Sequence, residues 1–142
     1  FYLEIGSNPG QFGTMPQIGT IAAQGLAFQA TQLAVAASNI VNARVSTPAT
    51  ADGTLLGALY APQAVIGTSV AGGGVQAKVV PVNPASRLIF DAASPTGFSA
   101  VPNIDLASQM VTLIMASSSY KASAQLLRVE AELSSTLTNI LA

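Results

Sequence analysis

Few residues in this chain have side chains that could do chemistry. The carboxylates are Glu4, Asp52, Asp91, Asp105, Glu130 and Glu132, and the cations are Arg44, Lys78, Arg87, Lys121 and Arg128. There is no histidine and no cysteine. That removes disulfides, thiolate chemistry and the commonest transition-metal ligand together. A glycosidase-type pair needs two carboxylates facing one cleft, and a hard-cation site needs several clustered oxygens. Glu130 and Glu132 are two apart in a helical pattern and point to different sides. Solvated charges and one helix cap account for all six acids, and no metal or cofactor is expected.

The other chemical candidates have simpler readings. Ser117, Ser118 and Ser119 form a run, but without histidine the common hydrolase triad has no base. A Ser117–Lys121 dyad is formally available; small residues that let two helices approach are the better account. Tyr120 falls in an apolar stripe and reads as a packing residue with its hydroxyl at the rim. Gly72-Gly73-Gly74 is followed by Val75 and Gln76, whereas a phosphate loop needs Lys and Ser/Thr there, opening a helix. A hairpin turn fits better. The reading is of a structural subunit, not an enzyme, with no small-molecule substrate.

Composition points the same way. Of 142 residues, 50% are hydrophobic and 8% charged, with a formal net charge of −1. Soluble domains carry about 25% charged residues, so much of this surface is expected to be covered by other protein. The cations form no cluster, and nucleic acid is not an expected partner. The alternative is a membrane-associated helical hairpin. Against it, the richest stretch, Ile18 to Val41, is broken by Gln24, Gln29, Thr31, Gln32, Ser38 and Asn39, where a span needs roughly 20 consecutive apolar residues.

The elements that must position these residues are expected to be α+β. Residues 1–16, with Gly6, Pro9, Gly10, Gly13 and Pro16, read as an extended arm. Residues 17–44 read as a helix whose seam is Leu26, Ala30, Leu33, Ala37 and Ile40, with a second stripe of Ile18, Ile21, Gly25, Phe28 and Val35. Residues 45–102 are a β-rich middle with strands expected at Leu55–Tyr60, Gln63–Thr68, Val75–Val82 and Arg87–Phe90, and a turn at Ala71–Gly74. Residues 103–142 return to helix, capped by Asn103 or Asp105. One stripe there is Leu106, Met110, Leu113, Tyr120, Ala124 and Leu127, and another is Leu126, Val129, Leu133, Leu137 and Ile140. The two long helices are expected to pack as a coiled coil. Each is apolar on more sides than a two-helix hairpin can bury, so the surplus is expected to go to neighbouring subunits.

The two ends together resemble the bacterial flagellar axial proteins of the rod and hook. Ala37-Ser38-Asn39-Ile40-Val41-Asn42-Ala43 is similar to the motif closing that family's N-terminal helix. Pro102-Asn103-Ile104-Asp105, Met110-Val111 and Ser119-Tyr120 are similar to the opening of its C-terminal helix. The short middle looks most like the proximal-rod member. Gln109, Ser118 and Ser123 stand where Glu, Arg and Asn are usual, and these departures are expected to remove polar contacts between helices. The resemblance implies export by the flagellar type III apparatus without a cleaved signal. It further implies a periplasm-crossing rod of the basal body, torque transmission, and partners that are copies of the chain and other axial proteins. The expected assembly interface is Leu26, Leu33, Ser38, Asn39, Ile40 and Asn42 from the first helix. From the second segment it is Asn103, Asp105, Met110, Leu113, Tyr120, Leu127, Leu133, Leu137 and Ile140.

Overall fold

The computed structural model describes residues 15–141. All but the last two residues of the expected arm lie outside that range. The order of elements is α1 (Met15–Asn42), β1 (Thr47–Pro48), β2 (Gln63–Ser69), β3 (Val75–Pro81), β4 (Ser86–Phe90), β5 (Phe98–Pro102) and α2 (Leu106–Leu141). The architecture is α+β: two long helices enclose, in sequence, a middle made of two small sheets.

Helix α2 begins at a cap. The Asp105 carboxylate accepts the backbone N–H of Ala107 at 3.1 Å and the Ser108 hydroxyl at 2.6 Å, so donors of the first turn find partners. Asn103 does something else: its N–H donates to Ala85 O at 2.9 Å and its side-chain amide to Pro84 O at 3.0 Å. At 36 residues α2 is about 54 Å long, against about 42 Å for the 28 residues of α1.

Strands β2 and β3 form an antiparallel hairpin, with Gln63 opposite Pro81 and Ser69 opposite Val75. Its turn uses Gly72, Gly73 and Gly74 at φ of 91°, 98° and 99°, a backbone region that side chains disfavour. The hairpin packs on two residues of the second apolar stripe of α1: a Cβ on Gly67 would lie 3.2 Å from the Phe28 ring, and one on Gly73 would lie 2.9 Å from Ile21. The other sheet is antiparallel in the order β1-β5-β4. Phe90 and Phe98, opposite each other, pack edge to face at 6.1 Å.

Two strand expectations are corrected. Leu55–Tyr60 is not a strand; it holds one isolated bridge, Leu55 to Ala49, and then runs irregularly. Phe98–Pro102, not among the expected strands, is the central strand of its sheet. Its closing proline reads against a central position, but Pro102 sits at the last register, opposite Ser86, where the ladder ends.

The coiled-coil expectation is also overturned. The helices run antiparallel: as α1 advances through residues 19, 25 and 39, the facing residues of α2 retreat through 130, 123 and 109. The buried positions on the two helices are Ala22, Ala36 and Asn39 of α1 and Ala116 of α2. On the expected seam Ala30 and Ala37 are exposed, and Leu26, Leu33 and Ile40 are only half-buried. A coiled coil encloses large a and d side chains in holes on the facing helix. Here small residues meet instead, with a buried polar residue, Asn39, near the C-terminal end of α1.

Candidate assembly surface

Asn39 is 1% exposed and makes four hydrogen bonds. Its amide nitrogen donates to Gln63 O at 2.8 Å and Gln109 Oε1 at 3.0 Å. Its Oδ1 accepts the Tyr60 hydroxyl at 2.9 Å and the Gln63 N–H at 3.2 Å. One side chain thus ties α1 to the hairpin, to the segment before it and to α2. A buried amide with all partners filled is affordable; one left unfilled costs about 1–3 kcal/mol. The flanking motif residues serve the same joint: Ser38 Oγ lies 3.0 Å from the Tyr60 hydroxyl, and the Asn42 side chain donates back to Ser38 O at 2.8 Å, closing the helix end.

Gln109 therefore keeps a polar contact between the helices, contrary to expectation. Ser118 is exposed, and Ser123 lies against Gly25, 3.6 Å from where a Cβ would stand. Sequence reasoning also left Glu130 among the solvated charges. Its Oε1 instead accepts the Gly19 N–H of α1 at 3.1 Å. Tyr60, Gln63 and Glu130 escaped the reading because each partner is distant in sequence. The available signal was Asn39 itself, a polar residue amid the apolar pattern of α1 that must find partners if buried.

The remaining expected interface residues divide by position. Leu113 and Leu127 are half-buried on the side of α2 that meets α1, while Met110, Tyr120, Leu133, Leu137 and Ile140 are exposed. At 100° per residue, Val111, Met115, Leu126, Val129, Leu133 and Ile140 form a stripe along one flank of α2, beside the face that meets α1, and all are exposed. Lys121, Arg128 and Glu132 fall in another sector, and Arg128 pairs with Glu132 at 2.9 Å. Glu130 borders the apolar stripe on the α1 side. Where α2 passes the start of α1, Ile18, Leu126, Val129, Leu133 and Leu137 line a groove of about 410 Å³.

Two carboxyls are held below the ordinary value. Asp105 is lowered chiefly by the Ser108 hydroxyl, then by backbone donors of the cap. Asp52 is lowered by the Thr50 hydroxyl, then by the Thr54 backbone and hydroxyl. Both are fully exposed and serve local turns. Among the described residues no three acids gather as a metal site, and no helix is long and apolar enough to cross a membrane.

Residues 96–140 match the family model described as the flagellar basal body rod FlgEFG protein C-terminal segment. No curated protein matches the chain. The matched segment takes in β5, the Asp105 cap and nearly all of α2, including Gln109, Glu130 and the apolar stripe. The description names proteins of the flagellar basal body rod. Over this segment the chain is similar to proteins of the flagellar basal body rod.

Proposed function

We propose that the chain assembles helically, through α1 and α2, with copies of itself and other axial proteins into the rod, as a stiff shaft that transmits torque. The observation that supports this is the apolar stripe of α2 from Val111 to Ile140, which the described elements leave exposed. Exposed apolar area on this scale marks interaction surfaces. Contacts between unlike surfaces whose rotation does not close generate helical tubes. In this reading the helices form the tube wall and the two sheets lie outside it, and the subunit reaches its place by the flagellar export apparatus.

The test is electron microscopy and sedimentation of the purified chain, alone and with other axial proteins. Rods or tubes with helical order are the expected result. A chain that stays monomeric at high concentration and fails to enter rods in cells would refute the proposal.

A further inference from the structure

We infer that two polar contacts, Asn39 with Gln109 and Gly19 with Glu130, set the register of α1 against α2 across a seam that has little register of its own. The closest approaches across the seam are at small residues, Ala22, Gly25 and Ala36 on one helix and Ala116 and Ser123 on the other, while Leu113 and Leu127, half-buried beside them, lie two seven-residue steps apart. Large side chains in matching holes resist sliding; small ones do so poorly. Moving α2 by seven residues, about 10.5 Å, brings Ser123 to the place of Ala116 or the reverse, one small side chain for another. Between them lie the Ser117–Ser119 run and Ala122, with Tyr120 and Lys121 the larger side chains.

The polar contacts are not degenerate in this way. They lie near opposite ends of the shared length, 20 residues apart on α1 and 21 on α2. Both are made together in one register. In a shifted pairing Asn39 loses Gln109 while remaining enclosed by Gln63 and Tyr60, leaving an amide hydrogen without a partner. Glu130 likewise leaves the Gly19 N–H. A single buried polar residue can fix helix register in just this manner, at some cost in stability. The register in turn decides how far α2 runs past Met15, and so which of its last apolar turns lie alongside α1.

The chain has no cysteine, so introduced pairs report register cleanly in the dilute full-length chain, without any need for assembly. Gly25→Cys with Ser123→Cys reports the observed register. Gly25→Cys with Ala116→Cys reports a slip of seven residues, and in the observed register is too far apart to bridge. The intact background should give the first disulfide and only a trace of the second. With Asn39→Leu and Glu130→Ala added, the second should rise roughly tenfold or more, the population shift equivalent to losing about one hydrogen bond. Helix content by far-ultraviolet circular dichroism should hold. If the double substitution gives neither disulfide, Gln109→Leu, which removes only the partner on α2, is read in the same way. The second disulfide absent in every substituted background, or abundant in the intact one, would overturn the inference.

Discussion

Glu130 reaches from α2 to the backbone of Gly19, 111 positions earlier in the chain, and accepts its N–H at 3.1 Å. The contact exists because position 19 has no side chain: a Cβ there would stand 2.4 Å from Glu130 Oε2. The carboxylate also lies near the N-terminal end of α1, where the helix dipole favours negative charge. A glycine that weakens its own helix is thus answered by a charge-assisted bond to the other one.

Replacing that glycine sets two effects against each other. Gly19→Ala gains about 0.8–1 kcal/mol of helix propensity but expels the carboxylate and loses a bond to a charged group, about 1.5–3 kcal/mol. A net loss of roughly 0.5–2 kcal/mol is expected, because a flexible Glu side chain can swing aside without moving backbone. Glu130→Gln keeps an acceptor and should be milder. Urea unfolding of both variants measures this; Gly19→Ala more stable than the parent would show that the contact adds little.

The Asp105 cap has a definite pH window. Its folded pKa lies below the ordinary 3.8, so the ionised carboxylate favours the folded helix start. That contribution is complete above the unfolded value and is lost as pH falls below about 3.8 through the folded pKa. Protection of the Ala107 and Ser108 amides, relative to their intrinsic exchange at each pH, should therefore stay constant from neutral pH down to that point and fall beneath it. Asp105→Asn retains a capping oxygen and should flatten the acid response at these amides.

The hairpin turn separates backbone strain from steric conflict. Gly72 and Gly74 have similar φ, yet a Cβ on Gly72 meets nothing within 4 Å, while one on Gly74 would fall 1.8 Å from Gln24 Oε1. Gly72→Ala should destabilise by about 1–2 kcal/mol from the backbone alone. Gly74→Ala should be worse by a further 1 kcal/mol or so, since Gln24 Oε1 is buried and must move. Equal thermal shifts for the two would mean that Gln24 yields freely.

Leu137→Asp tests the proposed assembly directly. Leu137 is 46% exposed in the single chain, so the substitution should change its folding little. Enclosed by neighbouring subunits, it would forfeit roughly 1.5–3 kcal/mol of burial and leave a buried, unpaired carboxylate that costs several more. Sedimentation and motility should fail for this variant and persist for Glu132→Gln, which loses only an exposed ion pair. Normal rods and swimming with Leu137→Asp would remove this face from the interface.

The long helices, the hairpin and its glycine turn, and the Asp105 cap were legible because each follows from local pattern or local chemistry. The packing of the helices was not. An apolar repeat such as Leu26–Ala30–Leu33–Ala37–Ile40 says that a face is apolar but not what covers it, and the hairpin packs on Ile21 and Phe28 of the neighbouring stripe. The polar joint was half legible: Asn39 stood out, whereas Tyr60, Gln63, Gln109 and Glu130 acquire their roles only when distant segments meet. β5 was hidden by its length and by a proline whose position at the ladder's end makes it harmless.

The exposed apolar stripe of α2 carries a thermal consequence. Contacts made through such a face release structured water and gain heat-capacity change, with no ion pairs to screen. They therefore strengthen from the cold up to moderate temperature and respond little to sodium chloride, while sulfate reinforces them. Chilling, with no change of pH or ionic strength, is the mildest way to part subunits held by that face.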